Sequence, residues 1–338
     1  MAVRCAVIGL GYWGPNLLRN IAASSLTELV AICDRAPERC ALLARQYAVP
    51  LVTADPDEVF ASPDVDAVFI ATPVVTHYML ALGALRAGKH VFVEKPLAAE
   101  VGHAEHLVDE ADRRGLRLMV DHVFVYSPAV RKIRQLITED VIGEVLYFDS
   151  VRVNLGLFQH DVNVIWDLVV HDLSIVDFVL DERPTAVLTQ ARAHVKGHPE
   201  NMAYMTCTFD SGLIAHFHVN WLAPVKVRRT LLGGSRRMIV YDDLEPDEKI
   251  KIYDRGIDIT NALPDKRELQ FGYRLGDMLA PVLSRTEPLK EAVEHFAECI
   301  TAGTRPIPDG SCGLRVVRLL DAATRSFREE GRKVPVTL

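Results

Sequence analysis

From residue 3 to about residue 121, short apolar runs alternate with stretches whose apolar positions recur every three or four residues. Val3-Arg4-Cys5-Ala6-Val7-Ile8 reads as a strand, and Asn16-Leu17-Leu18-Arg19-Asn20-Ile21 as a helix behind it. Glu28-Leu29-Val30-Ala31-Ile32-Cys33-Asp34 is the next strand. Residues 66–71 follow as a strand and 76–87 as a helix closed by Gly88, with Thr76 as its N-cap. Then come a strand at 90–93, a helix at 98–114 closed by Gly115, and a strand at 116–120. Nearly continuous apolar strands alternating with helices imply a parallel sheet covered on both faces.

The pattern changes near residue 144. Residues 144–154, 185–195, 202–209, 213–221, 226–232 and 236–241 read as strands, several parted by hairpin signals such as Asp210-Ser211-Gly212 and Gly233-Gly234-Ser235. His216, His218 and Asn220 alternate with Ala215, Phe217, Val219 and Trp221, the mark of an antiparallel sheet with unlike faces. A helix over 166–180 precedes most of these strands, and helices near 289–302 and 313–330 close the chain. The irregular stretch 246–275 fits a lid, an oligomer contact or a surface insertion. The expected architecture is α/β: a dinucleotide-binding domain over residues 1–123, then an α+β domain over 124–338 with a large, mostly antiparallel open sheet.

At 338 residues and 49 % apolar composition the chain can bury two cores. Its net charge of −7 and scattered Lys and Arg leave no nucleic-acid surface. Six cysteines without a CxxC pair fit a reduced, cytoplasmic protein. The first strand begins almost at once, leaving no room for a signal peptide, and no uninterrupted apolar run is long enough to cross a bilayer.

Gly9-Leu10-Gly11-Tyr12-Trp13-Gly14 sits between the first strand and its helix, and Asp34 lies twenty residues beyond the third glycine. Such a turn brings backbone N–H groups against a pyrophosphate at a helix N-terminus, and the acid accepts hydrogen bonds from the adenosine ribose. Asp34 favours NAD, because its charge repels the 2′-phosphate of NADP. Arg35 beside it weakens that preference without reversing it.

Ligands of parallel sheets bind at the carboxyl ends of the strands. Thr72-Pro73 and Glu94-Lys95-Pro96 both follow strands at that edge, and Pro96 is a candidate for a cis bond. Lys95 there is either a proton donor and acceptor or an exposed loop lysine. Asp167 and His171 are four apart on a helix, which fits a base with an orienting carboxylate or an ordinary helical hydrogen bond. No third and fourth metal ligand stand at suitable spacing, so no metal is expected; His160-Asp161 lies nearby in a loop. His77 and His122 are further candidates for the cofactor edge. Tyr126, Arg152, Asn154 and Asn163 are candidate substrate contacts.

Together these motifs resemble the Gfo/Idh/MocA oxidoreductases. Ala71-Thr72-Pro73-Val74-Val75-Thr76-His77 is similar to the family's T-P-x-x-x-H segment. Ala87-Gly88-Lys89-His90-Val91-Phe92-Val93-Glu94-Lys95-Pro96-Leu97-Ala98 resembles its A-G-K-H-V-x-x-E-K-P-x-A signature. Val141-Ile142-Gly143-Glu144-Val145 and the segment Pro308-Asp309-Gly310 to Val317 also resemble family turns. The resemblance implies a Rossmann first domain and catalytic roles for Lys95 and His171, with Asp167 as polar partner. Cofactor contacts are expected at Gly9, Gly11, Tyr12, Trp13, Gly14, Asp34, Arg35, Thr72, Pro73, His77, Glu94, Lys95 and His122. Substrate contacts are expected at Lys95, Tyr126, Arg152, Asn154, Asn163, Asp167 and His171. The second-domain motif departs from the family pattern: Val164-Ile165 and Val169 replace glycines, and Ser174 stands where a last Asp is usual.

The expected function is NAD-dependent hydride transfer from a sugar secondary alcohol, with a nucleotide-linked hexose first among substrates. Oxidation of inositol or another free polyol, ketone reduction in the reverse direction, and a redox-neutral glycosidase are the alternatives. The resemblance also implies a homodimer or homotetramer formed through the open sheet.

Overall fold

The structure, a computed structural model, describes residues 2–156, 158, 162–260 and 270–338. In chain order the elements of the first stretch are β1 (Val3–Ile8), α1 (Gly14–Ala23), β2 (Thr27–Cys33), α2 (Pro37–Tyr47), β3 (Leu51–Thr53), α3 (Pro56–Ala61), β4 (Ala67–Ile70), α4 (Val74–Arg86), β5 (His90–Glu94), α5 (Val101–Arg114) and β6 (Leu118–Asp121). There follow α6 (Pro128–Thr138), β7 (Val145–Leu155), a π-turn at Ile165–Val169, α7 (Val170–Val179), β8 (Ala186–Arg192), β9 (Met202–Thr208), β10 (Ile214–Asn220), β11 (Leu222–Gly234) and β12 (Met238–Asp242). The chain ends through β13 (Ile250–Tyr253), β14 (Gly256–Thr260), β15 (Gln270–Arg274), β16 (Met278–Leu279), α8 (Pro288–Ala302), α9 (Gly310–Arg328) and β17 (Val334–Pro335).

Two compact units emerge. The first comprises Met1–Ser127, Leu173–Ile175 and Thr286–Asp321; the second comprises Pro128–Asp172, Val176–Arg285 and Ala322–Leu338. A single cut at residue 123 therefore misses the return of 286–321 to the first unit. Aromatic packing explains it. Phe69 of β4 and its register partner Phe92 of β5 stack at 4.8 Å, and Phe296 of α8 meets each ring at 5.6 Å. All three are fully buried, which ties α8 to that face of the sheet.

The first sheet is parallel with strand order β3-β2-β1-β4-β5-β6. The order reverses between β1 and β4, and that is where sheets of this kind open a crevice at their carboxyl ends. Ala67–Ile70 is buried at every position, as a strand covered on both faces must be.

In the second unit nine strands pair in the order β16-β13-β12-β11-β7-β10-β9-β8-β17. Every neighbouring pair is antiparallel except β7–β10, which is parallel, so the sheet is mixed. Along β10, Ala215, Phe217 and Val219 are buried, while His216 and His218 face the other side. There Tyr204 of β9 stacks on His218 at 4.5 Å. The stretch read as irregular holds β13 and the hairpin β14–β15; residues 261–269 lie outside the described residues. Among the described residues, no helix is long and apolar enough to cross a membrane.

Candidate active site

β1 ends at Ile8 and the chain turns at Gly9 with φ 96°. A Cβ on Gly9 would lie 2.5 Å from the Ala71 carbonyl oxygen, and one on Gly14 would lie 2.1 Å from the Gly9 carbonyl oxygen. Neither position admits a side chain. Gly11 has open space above it, directly before the N-terminus of α1. Bare backbone facing open space at a helix N-terminus fits a pyrophosphate.

Beside this turn lies a cavity of about 550 Å³ lined by Gly9, Gly11, Asp34, Arg35, Thr72 and Met79 among others, Pro73 included. Asp34 is fixed at its wall. Its Oδ2 accepts the Leu10 N–H at 2.6 Å and its Oδ1 the Ala36 N–H at 2.8 Å. Arg39, which the sequence reading did not single out, sits 4.0 Å from the same carboxylate. A carboxylate has about four acceptor sites, so capacity remains for ribose hydroxyls. The residues present thus fit an NAD molecule, with its adenosine half in this cavity.

The structure places four expected residues around this edge. Tyr12 is 86 % exposed. Trp13 donates its indole N–H to Asp121 Oδ2 at 3.0 Å. α4 starts at Val74, so Thr76 is not an N-cap: its hydroxyl bonds Thr72 Oγ1 and the Pro73 carbonyl, each at 2.7 Å. His77 consequently lies within the first turns of α4 and is fully buried, with Nδ1 and Nε2 each 2.9 Å from a carbonyl oxygen, of Pro96 and Thr72 respectively. It braces the two edge turns from behind and does not face the cavity.

Lys95 follows β5 at the same sheet edge, and the Lys95–Pro96 peptide is cis. Glu94 pairs in register with Asp121 on β6. Burial, reinforced by the neighbouring Asp121 charge, pushes the Glu94 carboxyl well above the ordinary carboxylate range. His122 is only 1 % exposed. Tyr126 is buried with its hydroxyl donating to the Ile307 carbonyl, which gives it a packing role where a substrate contact was expected.

In the second unit the expected helix over 166–180 divides into the π-turn Ile165–Val169 and α7. Asp167 therefore lies in a widened turn and His171 in the first turn of regular helix; π-turns cluster at functional sites because they displace side chains from helical register. Trp221, at the end of β10 and unmarked by any local motif, donates its indole N–H to Asp167 Oδ2 at 3.2 Å. Asn163 caps the turn: its Oδ1 accepts the N–H groups of Ile165 and Trp166, and its Nδ2 donates to Glu200 at 3.1 Å. Arg152 is 4 % exposed and gripped by Asp172 through two bonds of 2.9 Å. Those bonds tie Arg152 and Asn163, both expected as substrate contacts, into the framework of the second unit. Asn154 is half-buried near the end of β7, and His160 and Asp161 lie outside the described residues.

Residues 3–122 match the model described as "Oxidoreductase family, NAD-binding Rossmann fold", and 130–240 match the "GFO/IDH/MocA C-terminal domain". The chain is similar to UDP-N-acetylglucosamine 3-dehydrogenase of Acidithiobacillus ferrooxidans, 29 % identical over 321 residues covering 93 % of this chain and 94 % of that one. A solved structure of that dehydrogenase superposes with a TM-score of 0.82 at 26 % identity, over 97 % of this chain and 98 % of that one. The scyllo-inositol 2-dehydrogenase (NAD(+)) of Bacillus subtilis is 26 % identical over 339 residues, covering 96 % of this chain and 94 % of the relative. The chain belongs to the Gfo/Idh/MocA family of NAD-binding oxidoreductases.

Proposed function

We propose that this oxidoreductase oxidises a secondary alcohol of a sugar, with a nucleotide-linked hexose as substrate. The observation that carries the reading is the position of Lys95, on the turn after β5, at the sheet edge that also bears the glycine turn and Asp34. NAD supplies the hydride acceptor when bound. In this reading His171 accepts the proton of the reacting hydroxyl, Lys95 donates a hydrogen bond to the same oxygen, and Asp167 orients His171 or a neighbouring sugar hydroxyl. Asp167 is itself held by Trp221 and the π-turn, which suits a group that must keep one orientation.

Likeness to a UDP-N-acetylglucosamine dehydrogenase supports the nucleotide-sugar substrate, and likeness to a scyllo-inositol dehydrogenase supports a free polyol as the second reading. Screening UDP-, dTDP- and GDP-sugars beside the inositols for NADH formation separates them. Turnover of a nucleotide sugar is the expected result; turnover of inositols alone transfers the assignment to the second reading.

Two further proposals follow. The protein forms a homodimer or homotetramer through the open face of the nine-stranded sheet, where Tyr147, Tyr204 and Ile214 are exposed. Light scattering on the purified chain tests this, and a monomer at working concentration refutes it. It works in the cytoplasm, in keeping with six buried cysteines that are all free thiols.

A further inference from the structure

Glu94 and Asp121 end two adjacent parallel strands and are partners in register, so their side chains leave the sheet on one face. Asp121 is 2 % exposed. Its Oδ2 takes the Trp13 indole N–H, while its Oδ1 and Glu94 Oε1 are sealed from solvent with no hydrogen-bond donor against them. Glu94 as a whole is half-buried, but two carboxylates that turn sealed oxygens toward one face of the sheet cannot both stay ionised without a large cost, and the cheapest remedy is a proton between them. We infer that Glu94 and Asp121 hold one proton between them and act as positioning residues, joining the glycine turn, through Trp13, to the Lys95 turn.

The proton resides chiefly on Glu94. Burial raises both carboxyls, but the neighbouring Glu94 carboxyl and the Trp13 indole N–H draw Asp121 back down, while the Asp121 charge drives Glu94 further up. The pair thus carries one negative charge, not two, next to Lys95, whose own charge lowers both carboxyls. Titratable neighbours beyond Lys95 are His122, which follows Asp121 in the chain, and His77 of α4, which holds the Pro96 carbonyl. The glycine turn and the Lys95 turn are then linked through a neutral acid and one indole N–H. Loss of the shared proton would set two bare carboxylates against each other at that link.

The proton gives the test its sign. A carboxyl raised in the folded state keeps its proton where the unfolded chain has lost it, so stability falls as pH climbs above the unfolded value. Glu94→Gln has no proton to lose. Its melting temperature is therefore expected to gain on wild type steadily between about pH 6 and pH 9, by up to about tenfold in folding constant per pH unit. A gap between the two proteins that stays constant over that range overturns the inference. Should Glu94→Gln fail to fold, infrared spectroscopy of the wild type with carboxyl-labelled glutamate decides. A labelled neutral-acid band at neutral pH, displaced in Trp13→Phe, is expected, and its absence from wild type overturns the inference.

These two readouts do not depend on the reaction. A third rests on the catalytic reading of Lys95: the kcat–pH profile of Glu94→Gln should lose an alkaline limb present in wild type. If the shared proton is observed but the profiles coincide, the link to catalysis fails while the shared proton stands.

Discussion

The two units secure their functional groups by opposite means. In the first, Asp34, Thr72 and Lys95 stand on short turns after parallel strands, and the strands beneath them are continuous apolar core. In the second, His171 and Asp167 stand on a π-turn and the start of α7, beside a buried Arg152–Asp172 ion pair whose side chains are 5 % and 1 % exposed. Strand-end turns inherit their position from a sheet that would form without them. A helix entry needs polar partners to fix it, so there the site and the stability share residues. Mutations should consequently separate chemistry from folding in the first unit and entangle them in the second.

Lys95→Ala should break the comparison hardest on the catalytic side. A loss of about 10³-fold in kcat is expected, roughly 4 kcal/mol of barrier, with NAD affinity measured by fluorescence titration kept within about threefold. Full activity on the true substrate would remove Lys95 from the mechanism. Arg152→Met should do the converse, costing about 3 kcal/mol in urea unfolding because it strands Asp172 as an uncompensated buried charge. Activity lost without any loss of stability would show that Arg152 meets the substrate after all. Asp34→Ala is expected to narrow the preference for NAD over NADP by about tenfold, near 1.4 kcal/mol, as judged from the ratio of the two dissociation constants. An unchanged ratio would mean that Arg35 and Arg39 already dominate that end of the cavity.

The smallest effect concerns pH. His90 is pushed down to about 4 by burial and by the Arg117 charge, and its Nδ1 accepts the Arg117 N–H at 2.9 Å. A histidine with a depressed folded value stays neutral while the unfolded chain takes up a proton. Its stability contribution is present above about pH 6.5 and is lost as pH falls toward about 4. His90→Gln should therefore show a shallower acid-side fall in melting temperature than wild type across that window. Parallel curves would assign the acid sensitivity to other groups.

What sequence reveals follows the same division. The glycine turn, Asp34 and Lys95 were readable because their neighbours obey a simple period, and strand ends fall where that period stops. Strand β3, three residues long, shows no period to read. The parallel pairing of β7 with β10 joins residues more than sixty positions apart, and local pattern does not encode it. Likewise Trp221 reaches Asp167 across 54 positions, and Arg152 reaches Asp172 from another element altogether. His77 shows a subtler gap. Its spacing from Thr72-Pro73 placed it near the edge, but only the true start of α4 turns its ring inward.

That inward ring matters to anyone redesigning this enzyme. Because one buried imidazole is wedged 2.9 Å from the carbonyl oxygens of both Thr72 and Pro96, donating to one and packed against the other, the wall of the adenosine cavity and the lysine turn share a single brace. Cofactor engineering that moves the backbone at residue 72 will be felt at Lys95, whereas a side-chain exchange there that leaves the carbonyl in place will not. Library design should accordingly treat the two turns as one block, with His77 as its hinge pin.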